Sequence, residues 1–80
     1  IEHIKQLIYQ DTLFSDLHAL RTRRIGNVVS IEMHLRLPGQ MQVSEAHKHL
    51  SMLEERLKGE FGKETMIIVR IEPIKETSQG

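Results

Sequence analysis

The sequence has no cysteine, no tryptophan and no excess of charge of either sign. Among its 80 residues, 11 lysines and arginines balance 11 aspartates and glutamates. The missing cysteine excludes disulfides, thiolate metal ligands and thiol nucleophiles, and it leaves the redox compartment undetermined. The zero net charge provides no protein-wide field that would hold the chain on nucleic acid or on an anionic membrane, so we expect no nucleic-acid partner.

Long apolar runs and catalytic motifs are also missing. The longest unbroken apolar stretch is the four residues 66–69, whereas a membrane-spanning helix needs roughly 20. No glycine-rich phosphate loop is present, and no serine can be matched with a histidine and a carboxylate, so we expect a protein that is not an enzyme. The chain begins at Ile1 without a signal-like segment, which we interpret as a soluble piece of a longer protein.

Apolar periodicity predicts two helices. Ile1, Ile4 and Ile8 recur at helical spacing, which predicts a short amphipathic helix ending near residues 10–12. A second stripe advances in steps of three and four, which predicts a helix of about five turns that ends at Gly62 and covers one face of a sheet. The members of this second stripe are Val43, Ala46, Leu50, Leu53, Leu57 and Phe61.

Three strands are predicted from alternation and from the turn residues that bound them. The first covers 17–24 and is followed by Gly26 and Asn27, a pair that can adopt the positive φ angles of a tight hairpin turn. The second covers 28–37, with apolar residues at the odd positions and a mostly polar face at the even positions. The third covers 66–72 and ends before a proline. All three aromatic residues lie outside these strands, which argues against RNA recognition on the sheet.

The order helix, strand, strand, helix, strand predicts an α+β two-layer sandwich with a three-stranded sheet. We expect one domain over 1–74, followed by a flexible tail over 75–80. A core of this size supplies only about 3–5 kcal/mol of net stability. An oligomeric interface or a bound metal ion would therefore help to stabilise the domain.

Histidine with carboxylate is the one combination in the sequence that suggests chemistry. The chain has five histidines, His3, His18, His34, His47 and His49. His34 and Glu72 share the alternation class that the apolar core does not occupy, so both can project from the same side of the sheet. His47 lies at the edge of the second apolar stripe. Imidazole and carboxylate are ligands that suit zinc or a similar divalent ion.

Each histidine also has an ordinary interpretation. His18 and His34 can be polar residues on a solvated strand face, and His47 can be hydrogen-bonded at a helix interface. We expect His3 and His49 to be exposed. The segment HALRTRR at 18–24 combines a histidine with three arginines. Its residues could bind phosphate, form a solvated strand face or border a metal site.

Three segments together resemble the cytoplasmic C-terminal domain of the cation diffusion facilitator family, whose transporters exchange zinc and related divalent cations for protons. They are HALRTRRIG at 18–26, SIEMHLRLPGQMQVSEAHKHL at 30–50 and IIVRIEP at 67–73. The shared features are a His-x-Leu-Arg-Thr-Arg segment, a histidine in the second strand, a Glu-Ala-His at the start of the long helix, and an acid before proline at the end of the last strand. The resemblance covers nearly the whole chain.

The resemblance implies a ferredoxin-like, metallochaperone-like fold and a homodimer in which divalent ions near the interface favour a closer arrangement of the two domains. It nominates His18, His34, His47 and Glu72 as metal ligands. The implied ion is Zn²⁺, with Fe²⁺, Mn²⁺ and Cd²⁺ as alternatives. The domain would lie on the cytoplasmic side of the cell membrane, attached to a membrane domain of the same transporter.

For the arginines, the resemblance implies roles other than metal binding. Within HALRTRR, only the histidine would bind metal, and Arg21, Arg23 and Arg24 could pair with carboxylates of the same or a neighbouring chain. The family's last strand often carries a histidine two residues before the acid, where this chain has Arg70. A guanidinium stays protonated and cannot coordinate a cation. We therefore expect Arg70 to oppose a second ion and to form an ion pair, with Glu72 or Glu32 as its partner.

Two other functions stay open at the level of the sequence. One is a metal-independent dimerisation domain of the same fold, in which the histidines are ordinary polar residues. The other is a small-molecule-binding regulatory domain of similar layered fold, which is disfavoured because no glycine-rich ligand turn separates the elements. A zinc titration separates the metal-binding domain from the metal-independent one.

Overall fold

A computed structural model of the protein describes residues 2–74, so Ile1 and the tail predicted over 75–80 lie outside the described residues. The elements are helix α1 (Glu2–Ile8), strands β1 (Ser15–Ile25) and β2 (Val28–Leu37), helix α2 (Val43–Phe61) and strand β3 (Met66–Pro73). The predicted α+β order is confirmed. The first strand begins at Ser15 instead of Leu17, and the last strand includes Pro73.

The central strand of the sheet is β2, in the order β1-β2-β3. β1 runs antiparallel to β2, whereas β3 runs parallel to it. Parallel neighbours cannot be joined by a hairpin, and α2 provides the crossover between β2 and β3. Since β3 lies at an edge of the sheet, a proline is tolerated at its end.

Both helices contribute to a core on one face of the sheet. The odd-numbered residues of β2 from 31 to 37 are all buried there, as the alternation predicted. The buried core consists of Ile4, Ile8, Phe14, Ile31, Met33, Leu35, Leu37, Leu53 and Leu57. The opposite face of the sheet, which we call the outer face, carries the even-numbered residues of β2. Neither helix within residues 2–74 combines the length and the apolarity needed to cross a bilayer.

Burial deepens along α2. Val43 is 85% exposed, Ala46 and Leu50 are half-buried, and Leu53 and Leu57 are fully buried. The prediction that Val43 belongs to the buried stripe is therefore wrong, because α2 contacts the core mainly through its second half. The predicted span and length of the helix are confirmed.

Two glycines have backbone angles that explain where elements turn or end. Gly26 in the hairpin has φ 62°, whereas Asn27 is not among the residues with positive φ. A positive φ at only the first turn position is what a type II′ hairpin requires, so the expectation of two positive angles is wrong. Gly62 has φ 115° and donates its N–H to Lys58 O at 2.8 Å, which ends α2 as predicted.

Candidate metal centre

Two irregularities in β1 bring His18 to the outer face of the sheet. The ladder pairs Ser15 with Arg36, His18 with His34 and Arg21 with Glu32. Three positions along β1 thus match two along β2, twice in succession, which is the signature of a β-bulge. Asp16 and Ala19 have φ of 56° and 55° and supply the extra residues. Because paired residues share a face, His18 lies directly opposite His34.

Three ligand-type side chains meet on this face, one from each strand. One ligand atom from each of His18, His34 and Glu72 lies within 4.8 Å of the others. His34 Nδ1 is 3.6 Å from Glu72 Oε2, and His18 Nε2 is 4.0 Å from Glu72 Oε1. The predicted sharing of one face by His34 and Glu72 is confirmed. We call these three residues the three-ligand cluster.

The hydrogen bonding of His18 prepares one nitrogen for coordination. Its Nδ1 lies 2.8 Å from the backbone carbonyl oxygen of Asp16. A carbonyl oxygen only accepts, so Nδ1 carries the proton and donates it. In the neutral ring, Nε2 is then left with a lone pair that faces Glu72. Metal-binding histidines are usually oriented by this kind of bond to a carbonyl, so the cluster fits a divalent ion.

Arg36 is the residue at this site that the sequence did not single out. It lies on β2 two residues after His34 and pairs with Glu72 across the parallel ladder. Its Nη2 is 3.2 Å from Glu72 Oε1, and its Nε donates to Asp16 Oδ2 at 2.8 Å. Alternation alone could have placed Arg36 on the outer face. Its carboxylate partners depend on the register of both neighbouring strands.

The expected ion pairs of the other arginines are not present within residues 2–74. No carboxylate of this range lies within 4.0 Å of Arg70, which is opposite His34 in the ladder. The expectation that Arg70 pairs with Glu72 or Glu32 is wrong, because Arg36 is the cation opposite Glu72. Among the carboxylates of residues 2–74, none pairs with the three arginines of HALRTRR, Arg21, Arg23 and Arg24.

The remaining histidines are not part of the three-ligand cluster. His47 is exposed on α2 and is not part of the cluster. His3 is exposed as expected and lies 2.8 Å from Glu60. The expectation that His49 is exposed is wrong, since its side chain is only 14% exposed. It donates from Nδ1 to Asp11 in the segment between α1 and β1.

A mixed three-stranded sheet with helices on one face and a cluster of two histidines and a glutamate on the other defines an α+β domain with a candidate metal centre. The chain belongs to the family described as the cytoplasmic domain of cation efflux proteins, which matches residues 1–74. The resemblance noted in the sequence to cation diffusion facilitator domains is thereby confirmed.

Relatives and solved structures support the same family. The cation-efflux pump FieF of Shewanella oneidensis is 32% identical over 74 residues, which are 92% of this chain and 25% of the pump. The chain thus spans about a quarter of that relative. A structure of the candidate zinc transporter CzrB is 29% identical, covers 92% of both chains and has a TM-score of 0.81. A second solved structure is the C-terminal domain of the CzcD transporter from Thermotoga maritima, which is 21% identical. The match covers 95% of this chain and 88% of the CzcD chain, and its TM-score of 0.82 shows a shared fold.

Proposed function

We propose that this chain is the cytosolic regulatory and dimerisation domain of a divalent-cation efflux transporter, and that it binds the ion through His18, His34 and Glu72. The observation that carries the proposal is the meeting of these three ligands from three strands within 4.8 Å. The role is regulatory and not enzymatic. Transport itself would take place in a membrane domain of the same protein.

The composition of the cluster supports zinc or a chemically similar ion. Zinc takes imidazole nitrogens and carboxylate oxygens, and it usually has four ligands in a tetrahedral arrangement. The three-ligand cluster leaves one position, which we assign to His47 of a second copy, since His47 is exposed and outside the cluster of its own chain. Fe²⁺, Mn²⁺ and Cd²⁺ are alternatives. The domain of the CzcD transporter was solved in a metal-bound form, which supports a metal in this fold.

Shared coordination gives the proposed regulation a physical basis. An ion held by ligands from two copies adds its binding free energy to their association, so it favours the closer arrangement of the dimer. The predicted opposition of Arg70 to a second ion stays a prediction. So does the division of the chain into a domain over 1–74 and a tail.

Zinc titration by calorimetry, with a parallel thermal melt, tests the proposal. Zinc at a hundredfold excess over its Kd should stabilise the domain by about 2.7 kcal/mol, which corresponds to roughly 11–22 °C in Tm. His34→Ala should remove most of this gain, whereas His3→Ala, at an exposed histidine outside the cluster, should retain it. Identical melts with and without zinc would contradict the proposal.

One observation favours the metal-independent dimerisation domain as a second candidate. The carboxylate of Glu72 already has a cationic partner in Arg36, at 3.2 Å. In that candidate, the guanidinium provides the positive charge on this face, and the histidines are ordinary polar residues. It predicts association that does not respond to zinc, so the same titration distinguishes the two candidates.

A further inference from the structure

Arg36 is held at the edge of the three-ligand cluster by three partners. Its Nε donates to Asp16 Oδ2 at 2.8 Å, its Nη1 donates to the backbone oxygen of Pro73 at 2.6 Å, and its Nη2 lies 3.2 Å from Glu72 Oε1. The side chain is 19% exposed. Each guanidinium nitrogen therefore has an acceptor, and the charge is fixed in one place between β1 and β3.

This arrangement divides the two oxygens of Glu72 between two tasks. Oε1 faces Arg36 at 3.2 Å and lies 4.0 Å from His18 Nε2, whereas Oε2 faces His34 at 3.6 Å and has no contact with Arg36 within 3.2 Å. A carboxylate has enough lone pairs to accept from a guanidinium on one oxygen and to bind an ion with the other. Arg36 consequently does not have to leave when an ion binds, and its positive charge stays beside that ion.

We infer that Arg36 is a fixed internal cation that sets the affinity of the three-ligand cluster for divalent ions by weakening it, an inference that rests on the proposed function. Arginine cannot lose its proton in a protein, so its charge opposes a dication at every physiological pH. The same guanidinium charge also offsets the negative charge of Glu72, the one carboxylate of the three-ligand cluster.

Repulsion outweighs the positioning effect that Arg36 also has. The hydrogen bonds of Arg36 help to hold Glu72 in place, but ion pairs at such partly exposed sites contribute little. The repulsion acts on an ion of charge two and is therefore twice that between single charges at the same distance. The loss of this repulsion should dominate when the charge is removed.

The test is a calorimetric zinc titration of the parent and two Arg36 variants. Arg36→Met keeps the aliphatic stem and removes the charge, so zinc should bind about tenfold more tightly, equivalent to about 1.4 kcal/mol. Arg36→Lys keeps the charge but cannot reproduce the three-point hydrogen bonding. Its Kd for zinc should stay near that of the parent if charge is the cause.

Arg23→Met is the matched control for the loss of one positive charge. Arg23 pairs with Ser30 on the same two strands, four residues along β2 from His34, or about 13 Å. That distance exceeds the screening length of about 8 Å at physiological ionic strength. Its zinc affinity should match that of the parent.

Each outcome decides between the inference and the proposed function. If Arg36→Met binds zinc no more tightly than the parent, or if Arg36→Lys loosens binding as a positioning role requires, the inference is wrong while the proposed function stands. If neither the parent nor Arg36→Met binds zinc, the proposed function itself fails. Circular dichroism of the metal-free proteins checks their folding, and Arg36→Gln provides a second neutral variant should Arg36→Met not fold.

Discussion

At the scale of single residues, His49 ties α2 to the segment between α1 and β1. Its Nδ1 donates to Asp11 Oδ2 at 2.5 Å, and its Nε2 lies 3.5 Å from Glu45 Oε2. Asp11 also accepts the backbone N–H of Leu13 at 3.1 Å. The side chain of Asp11 is only 10% exposed, so a polar contact far along the chain holds this turn against the long helix.

The pKa of Asp11 makes this contact testable by pH. Burial by itself would raise the pKa, but the hydrogen bonds from His49 and Leu13, with the charges of His49 and Arg56, outweigh it and lower the pKa below its ordinary value of 3.8. A lowered pKa contributes stability that is present above the ordinary value and is lost as pH falls through the folded-state value. The contact should therefore stabilise the domain at pH values above about 4 and cease to do so in stronger acid.

We predict that Asp11→Asn lowers the free energy of unfolding by roughly 1–2 kcal/mol above about pH 5, since the substitution removes the negative charge that strengthens the hydrogen bonds to this side chain. The difference in the free energy of unfolding should shrink as pH falls below about 4, because the parent carboxyl is then protonated and as neutral as the asparagine. Urea unfolding followed by circular dichroism measures both values. Glu60→Gln breaks the exposed His3–Glu60 pair and serves as the control with little expected effect. A constant difference down to strong acid would show that the charge is not the cause.

At the scale of elements, the bulges of β1 decide which side chains reach the outer face. In a regular strand, His18 would share a face with Leu20 and Thr22. The two extra residues, Asp16 and Ala19, instead bring Ser15, His18 and Arg21 to one face at intervals of three. Left-handed angles cost an alanine roughly 1–2 kcal/mol. The position of His18 thus depends on a conformation that β1 adopts against the local preference of Ala19.

We predict that Ala19→Val destabilises the domain by about 1 kcal/mol or more and weakens zinc binding, because a β-branched residue is a strong outlier at positive φ. Ala19→Gly should fold with unchanged or slightly higher stability, since glycine adopts this angle without strain. Thr22→Val, at an exposed and regularly paired position of β1, is the control that should be neutral. Thermal melts and zinc calorimetry of the three variants provide the measurements. If Ala19→Val binds zinc as tightly as the parent, the metal site does not depend on the bulge at Ala19.

At the scale of the whole molecule, the helices cover only one side of the sheet. The outer face carries the three-ligand cluster beside exposed apolar side chains of β3, with Met66 50% and Ile68 51% exposed. A chain of only 80 residues gains much of its stability from any further apolar area that it can bury. A second copy would supply both that area and a ligand to complete the coordination of an ion.

We predict a homodimer whose association constant rises with zinc. Sedimentation at tens of micromolar protein should detect the dimer. Added zinc should shift the equilibrium further towards it, because the proposed site takes ligands from both copies. His47→Ala should reduce the increase in dimer association that zinc causes and leave the association without zinc unchanged. His3→Ala, at another exposed histidine, should behave as the parent does. Only monomer in the presence of zinc would contradict the prediction.

The sequence by itself determined the order of the elements, the core face of β2 and the common face of His34 and Glu72. These features follow from periodicity within single segments, which the hydrophobic pattern specifies locally. The tertiary structure alone decided that His18 lies opposite His34, that Arg36 and not Arg70 pairs with Glu72, and that His49 is held by Asp11. Those contacts depend on bulges and on the register between strands or segments far apart in the chain, and alternation within one strand carries no information about the register of its neighbour.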